Sequence, residues 1–131
     1  MHPVTKISIF GVRLGVIALI VYWIVIFLGT HLPKPPNIAA SLGDKSKHTI
    51  AYFGLGLLLC YVTNHPRTWQ RFLSVAAIAL TYGAIDELTQ QLVPGRHADV
   101  MDWVADAVGV TLAIAVYSVA RHWYRKRQRG L

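Results

Sequence analysis

The sequence predicts an all-α fold: a four-helix transmembrane bundle with a polar pocket on its extracytoplasmic side. Two observations on composition point to a membrane, since 54% of the 131 residues are hydrophobic and only 15% are charged. Soluble domains carry about 25% charged residues. The third observation is the order of the chain, in which four apolar runs are separated by polar or basic segments. One domain covering residues 1–131 is expected for a chain of this length.

The first predicted span is residues 14–32, which contain no Lys, Arg, Asp or Glu. A bilayer core about 30 Å thick requires about 20 mostly apolar helical residues, and this run meets that length. The Pro33-Lys34-Pro35-Pro36 segment ends the helix. The run is longer than the core of a signal peptide, and no cleavage site of the Ala-x-Ala type follows it. We therefore expect it to be retained as an anchor.

The other three predicted spans are about 46–63, 72–93 and 100–120. The third reaches spanning length only if its helix continues through Asp86, and the fourth only if Asp102 and Asp106 lie inside it. The Pro94-Gly95 pair predicts a tight turn between these last two helices. The only cysteine, Cys60, lies in the second run, so an intrachain disulfide and a cysteine-based zinc site are excluded.

The basic residues predict the orientation. Of the 13 Lys and Arg, nine fall on one side of the predicted bundle and four on the other. The nine are Lys6, Arg13, Arg67, Arg71, Arg121, Arg125, Lys126, Arg127 and Arg129, and the four are Lys34, Lys45, Lys47 and Arg96. The positive-inside rule then places both termini in the cytoplasm. Because these residues flank apolar runs and form no stripe among aromatic side chains, no nucleic-acid partner is expected.

This orientation puts all six acids on the extracytoplasmic side: Asp44, Asp86, Glu87, Asp99, Asp102 and Asp106. A charge near the bilayer centre costs about 2.5–3.5 kcal/mol even on lenient insertion scales, so the acids within the spans should face the bundle interior or a water-filled cavity. Three helical stripes agree with this arrangement. They are Asp44-His48-Tyr52, Asp86-Gln90-Val93 and Asp99-Asp102-Asp106.

A fold-back at Pro94-Gly95 brings two of these stripes together. The antiparallel register we predict sets Gln90 beside Asp102 and Asp86 beside Asp106, with Val93 beside Asp99. Small residues would allow the helix backbones to approach closely. The glycines at 54, 56, 83 and 109 are interpreted in this way rather than as ligand loops.

Several chemical roles remain open for the clustered residues. His48, Glu87 and Asp102 are candidates for acid–base catalysis, with Asp99 and Asp86 in support, because close buried carboxylates cannot all ionise cheaply. Lys45 and Arg96 are the candidate phosphate or carboxylate ligands, although Arg96 could instead pair with Asp99. The remaining candidates for binding a substrate are Gln90, Asp44 and Tyr52.

A divalent cation is the only cofactor that the residues suggest. His48, Glu87, Asp102 and Asp106 offer oxygen and imidazole ligands that suit Mg, Mn, Ca or Zn, but their spacing does not select one. A purely structural role is the alternative, in which the acids pair with Arg96, Lys45 and Gln90 to lock the bundle.

The polar stretches resemble the VanZ-like family of small bacterial membrane proteins, named for members that raise resistance to the glycopeptide teicoplanin. "GDKSKHTIAYFGLGLLL" and "DELTQQLVPGRHADVMDWVADAVG" carry the pattern D-K-x-x-H-x-x-x-[FY], E-x-x-Q, P-G-R and D-x-x-D-x-x-x-[ND]-x-x-G, over residues 43 to about 115. The family positions are Asp44, Lys45, His48, Tyr52, Glu87, Gln90, Arg96, Asp99, Asp102, Asp106 and Gly109. Many members have Asn where this chain has Asp106.

The resemblance implies a multi-pass protein of the bacterial cytoplasmic membrane with a role in the cell envelope, but it implies no particular reaction. Together with the residues, it predicts a pocket for a membrane lipid or a lipid-linked, phosphate-bearing envelope precursor. If the protein is an enzyme, hydrolysis or group transfer is favoured. The alternative is a non-enzymatic envelope-binding or partner protein. Ion or proton conduction is less favoured, because the cytoplasmic halves of the helices have no titratable relay.

Overall fold

The structure is a computed structural model that describes residues 7–9, 12–33 and 42–130. Four helices dominate it: α1 (Leu14–His31), α2 (Asp44–Val62), α3 (Thr68–Gln90) and α4 (Val100–Arg129). The all-helical prediction is confirmed except for a short antiparallel pair, β1 (Ser8–Ile9) and β2 (Val12–Arg13), which precedes α1. Two of the basic residues used to predict the orientation, Lys6 and Lys34, lie outside the described residues, as do Pro35 and Pro36.

The helix ends follow local sequence signals. α1 ends before Pro33, as expected. At the start of α4, the Asp99 side chain accepts a hydrogen bond of 2.8 Å from the Met101 backbone N–H, which caps the helix. Between α3 and α4, the Arg96 backbone N–H donates to the Val93 carbonyl at 3.1 Å, and Gly95 has φ +80°. Proline second and glycine third in such a turn are typical of type II geometry, so the predicted turn is confirmed.

Three helices are long and apolar enough to cross a membrane: α1, α3 and α4. α2 has 19 residues but is not among them, because its first turn carries Asp44, Lys45 and Lys47. α2 is nevertheless the central element, since it contacts each of the other three helices. That α2 forms a fourth span therefore stays a prediction. In that arrangement α2, whose first turn is charged, would be shielded from lipid by the other three helices.

The core lies along α2, where Tyr52, Leu55 and Cys60 are almost fully buried. The closest packing is between α2 and α4, and it depends on two of the predicted small residues. A Cβ at Gly109 would collide with the backbone of Thr49, and one at Gly56 would lie 2.7 Å from the Ala113 Cβ. α1 packs on the outside and leaves most of its apolar side chains exposed. Such a surface suits contact with lipid.

Candidate functional site

A polar cluster fills the end of the bundle where α2 and α4 begin and α3 ends. Its members come from separate helices, and the fold turns them toward one another. The most deeply buried are Asp106, Asp86 and Gln90, which are 1%, 2% and 3% exposed. Glu87, Asp102 and His48 are 6%, 7% and 8% exposed. Lys45, Asp44 and Asp99 are exposed and form the outer rim. The exposed fraction of the cluster's side chains therefore falls from the outer rim toward the interior of the bundle.

His48 lies at the centre of this cluster. Its Nδ1 is 2.9 Å from Asp106 Oδ1, which is a hydrogen bond in which the imidazole N–H donates to the carboxylate. Its Nε2 is 3.9 Å from Asp102 Oδ2 and 4.0 Å from Glu87 Oε1. These two distances are too long for hydrogen bonds. Asp106 thus fixes the orientation of the ring, and Nε2 lies near two carboxylates without a hydrogen bond to either.

Lys45 connects the rim to the interior. Its Nζ is 2.8 Å from Asp99 Oδ2 and 3.3 Å from Asp102 Oδ1. The hydrogen bond from Lys45 lowers the pKa of Asp99, and Asp99 in turn raises the pKa of Lys45. Both side chains are about half exposed, at 48% and 53%, so this pair adds little to stability. Among the described residues of the cluster, the Lys45 ammonium group is the cation nearest to solvent.

The two acids of α3 have different environments. Asp86 accepts hydrogen bonds from Thr30 Oγ1 at 2.9 Å, Gln90 Nε2 at 3.0 Å and the Tyr82 hydroxyl at 3.3 Å. Glu87 accepts the Asp99 backbone N–H at 3.0 Å through Oε2, and its Oε1 accepts a longer hydrogen bond of 3.5 Å from Gln90 Nε2 and lies 4.0 Å from His48 Nε2. Asp86 is thus saturated by structural partners, whereas Oε1 of Glu87 is held only by one long hydrogen bond.

Sequence reasoning missed the contribution of α1. Thr30 binds Asp86, and His31 Nδ1 lies 3.6 Å from the same carboxylate while its Nε2 is 2.9 Å from Thr89 Oγ1. Neither residue belongs to any of the three helical stripes identified in the sequence, so neither was among the candidates. The available signal was the polar Thr30-His31 pair at the end of an otherwise apolar helix.

The register between α3 and α4 differs from the predicted one. Asp106 lies against Gly83, where an added Cβ would be 3.0 Å from its Oδ2, and Asp99 meets Glu87. Both of these acids thus contact α3 nearer the N-terminal end of that helix than expected. The reason is that α3 ends at Gln90, so a nine-residue connection of turns and coil at residues 91–99 joins the two helices.

Arg96 is placed apart from His48. Its Nη2 donates to the carbonyls of Gly29 at 2.9 Å and Leu32 at 3.4 Å, which caps the C-terminal end of α1. Within the described chain no ion pair joins Arg96 to Asp99, because Asp99 pairs with Lys45 instead. The neighbouring turn lines a cavity of about 620 Å³ that includes Arg96 and His97. Arg96 therefore lies at the outer turn and not among the acids.

Tyr52 is the innermost of the predicted binding residues. It is 1% exposed, and its ring stacks on Tyr82 with 6.2 Å between the ring centres. Its hydroxyl has no hydrogen-bond partner among the described residues. A tyrosine hydroxyl in this position can donate to any group that enters the cluster.

Comparison with protein families gives one match over most of the chain. The model of the VanZ/LLP1 family matches residues 4–121. The chain belongs to the VanZ/LLP1 family. The resemblance deduced from the polar stretches is thereby confirmed, and the match extends beyond residues 43–115 into α1. No curated protein and no solved structure gives a significant match.

Membership of the VanZ/LLP1 family and the three apolar helices together identify a membrane protein. Most of its motif positions meet around His48: Asp44, Lys45, Tyr52, Glu87, Gln90, Asp99, Asp102 and Asp106. Two motif positions have other roles here, since Arg96 caps α1 and Gly109 allows α2 and α4 to pack closely.

Proposed function

We propose that this VanZ/LLP1 protein acts on the polar head of a lipid-linked, phosphate-bearing component of the cell envelope, with His48 as its acid–base group. One observation carries the proposal: His48 is oriented by Asp106 through Nδ1, while its Nε2 lies 4.0 Å from Glu87 and 3.9 Å from Asp102 and makes no hydrogen bond to either. A histidine oriented by a carboxylate on one nitrogen and open on the other is a common arrangement in acid–base catalysis.

The reaction class that suits this arrangement is hydrolysis or transfer to a hydroxyl group. In it, Nε2 accepts the proton of the attacking water or hydroxyl, and Asp106 stabilises the imidazolium that forms. Glu87 or Asp102, when protonated, gives a proton to the leaving oxygen, because neighbouring buried carboxylates do not all ionise. Lys45 supplies the positive charge for the phosphate at the rim. Arg96 is too far into the outer turn to share that role in this conformation.

The membrane supports an amphiphilic ligand. α1 presents exposed apolar residues beside the cluster and contributes Thr30 to it, so an acyl or isoprenoid chain could remain in the bilayer while its head reaches His48. With the orientation that the positive-inside rule predicts, the cluster faces the outside of the bacterial cytoplasmic membrane and both termini are cytoplasmic. Lipid-linked envelope intermediates occur on that side in bacteria.

The His48→Gln and Glu87→Gln variants test the proposal. We expect each to reduce turnover of labelled undecaprenyl diphosphate-linked substrates in nanodiscs by about 10² to 10⁴-fold, the usual range for losing an acid–base group. Melting temperatures should stay near that of the unsubstituted protein. The matched control is His97→Gln, an exposed histidine outside the cluster, which should keep full turnover.

Three outcomes would argue against acid–base catalysis by His48 and Glu87. Variants that fail to fold would assign His48 and Glu87 to structure, and unchanged turnover in both would place the chemistry elsewhere. If the unsubstituted protein binds the lipid-linked substrate and never converts it, the non-enzymatic binding alternative holds. Binding should then weaken in Lys45→Gln, since Lys45 is the cation at the rim.

A site that holds a divalent cation is the second candidate for the chemistry of the cluster, and one observation favours it. Asp44, His48 and Asp102 each offer a ligand atom, and these atoms lie within 4.8 Å of one another. A cation held there would polarise a phosphoryl oxygen or lower the pKa of a bound water. Lys45 competes with it, because its Nζ already pairs with Asp102.

Metal analysis of the purified protein shows whether the site holds a cation or works through the His48 side chain alone. If the cation is part of the site, we expect close to one equivalent of Mn or Zn after dialysis against the metal and loss of that equivalent in Asp44→Asn. Asp44 is exposed, so this substitution should leave the fold intact. An equal metal content in Asp44→Asn, His97→Gln and the unsubstituted protein would exclude this ligand set.

A further inference from the structure

The opposite end of the bundle holds a second concentration of charge, and it is entirely positive. A cavity of about 740 Å³ lies there, between the end of α2, the start of α3 and the last turns of α4. Four arginines line it, namely Arg13, Arg71, Arg121 and Arg125. None of the six acids of the chain is among its lining residues, since all six belong to the His48 end. We call this cavity the arginine pocket.

Arg71 shows that the pocket is built into the fold. It is only 6% exposed, and its Nη2 donates to the Cys60 carbonyl and, at 2.8 Å, to the Tyr117 hydroxyl. Its guanidinium carbon also lies 5.0 Å from the centre of the Tyr117 ring. These contacts hold the charge in place without neutralising it, because neither partner is an anion.

Two buried donors in the pocket remain unpaired. Arg71 Nε and Arg121 Nη1 are inaccessible to solvent and have no acceptor among the described residues. A buried donor attached to a charged group is unfavourable unless an acceptor meets it. Several guanidinium groups close together without a carboxylate also repel one another. Both costs would be removed by one anion with several oxygen atoms.

We propose that the arginine pocket binds a phosphate group, with Arg71 and Arg121 as its principal ligands. A phosphate offers several acceptor oxygens, and the planar guanidinium group can donate two parallel hydrogen bonds to it. Tyr61 and Tyr117 line the same cavity and offer aromatic surface and hydroxyl groups beside the charge. The pocket is separate from the His48 cluster, so the proposal does not depend on the function of that cluster.

The level of the pocket in the membrane suggests where such a phosphate comes from. Asp102 and Arg121 are separated by 19 positions on α4, which correspond to about 28 Å of helix at 1.5 Å per residue. This length is close to the roughly 30 Å of the hydrocarbon core. The pocket therefore lies at the headgroup level of the other leaflet, where the exposed Trp69 and Trp123 suit an interface. A phospholipid headgroup and a soluble phosphate compound share the chemistry that the pocket recognises.

Binding is tested on the purified full-length protein with two probes: short-chain phosphatidylglycerol in a neutral detergent and inorganic phosphate. Isothermal titration calorimetry measures the affinity for each probe. Native mass spectrometry measures which lipid stays bound after the protein is released from phosphatidylcholine nanodiscs that contain added phosphatidylglycerol. We expect Arg121→Gln to weaken phosphatidylglycerol binding about tenfold, the usual effect of losing a hydrogen bond to a charged group. Arg127→Gln removes the same charge from the exposed end of α4 outside the pocket, and it should change affinity less than about twofold.

Each result has a defined meaning. Binding of phosphatidylglycerol that depends on Arg121 supports a lipid headgroup, and Arg121-dependent binding of inorganic phosphate alone supports a soluble compound. If neither probe binds above the phosphatidylcholine background, or if both arginine variants lose affinity equally, the proposal is overturned. Should Arg121→Gln fail to fold, Arg125→Gln provides the same comparison, because Arg125 also lines the pocket and its side chain is exposed.

Discussion

Replacing Gly109 by alanine is expected to lower the free energy of unfolding by about 3 kcal/mol or more, the upper range for overpacking in a tight interface. The new Cβ would overlap the Thr49 carbonyl and lie 2.9 Å from the Phe53 backbone nitrogen. Neither group can turn aside, since both belong to the backbone of α2. The two helices would have to separate, and the closest contact in the bundle would be lost. Unfolding by sodium dodecyl sulfate in mixed micelles measures the change.

Gly29→Ala is the matched control for that substitution. Gly29 lies in α1, and a Cβ at this position meets nothing within 4 Å. Because alanine is a better helix former than glycine by about 1 kcal/mol, the control should leave stability unchanged or raise it slightly. Equal losses in both variants would show that the Gly109 effect does not arise from contact between α2 and α4.

The second large effect concerns Asp106. Asp106→Leu is expected to lower the free energy of unfolding by about 1–3 kcal/mol, the cost of leaving a buried donor unsatisfied, because His48 Nδ1 loses its acceptor. It should also abolish turnover, since nothing would then orient the imidazole. Asp106→Asn keeps a carbonyl oxygen at the same place, so its stability should stay within about 1 kcal/mol of the unsubstituted protein. The same unfolding assay and the turnover assay provide both readings.

Asp99→Asn is the control for Asp106→Asn, because it makes the same chemical change at the exposed rim. Asn caps a helix as well as Asp does, so only the exposed pair with Lys45 is lost, and the free energy of unfolding should change little. Asp106→Asn should lower turnover, because the neutral amide can no longer stabilise the imidazolium that forms on His48. If turnover persists while the fold is intact, an acceptor that orients the imidazole is sufficient and the negative charge of Asp106 is not needed.

The sequence predicted the helices well because the signals are local. The apolar run of α1, the proline at position 33 and the Pro94-Gly95 turn each act within a few residues. The stripe Asp44-His48-Tyr52 was also sufficient to place three polar residues on one face of α2. The family resemblance pointed to the motif positions, and the fold brings most of these together around His48. The start and end of each helix were less predictable, and α4 continues to Arg129 rather than ending near residue 120.

The parts that were missed depend on contacts between distant segments. The polar Thr30-His31 pair marks the end of α1, but the local sequence does not show which partner it meets, since its contact with Asp86 requires α1 to lie against α3. The position of Arg96 was uncertain for the same reason, because its acceptors are the last carbonyls of α1. The register of α3 against α4 differs from the predicted one because α3 ends at Gln90, and periodicity does not reveal the length of the connection over residues 91–99.

The bond between the Asp99 backbone and Glu87 has a consequence for how the chain is made. Glu87 acquires that hydrogen bond only when the segment after the turn is present. During synthesis α3 leaves the ribosome first, with two acids in its apolar length and only part of their partners available. Its release into lipid alone would leave those acids poorly satisfied, whereas release together with α4 would not. We therefore expect the α3–α4 hairpin to insert into the membrane as one unit, which becomes possible once the turn at Pro94-Gly95 has formed.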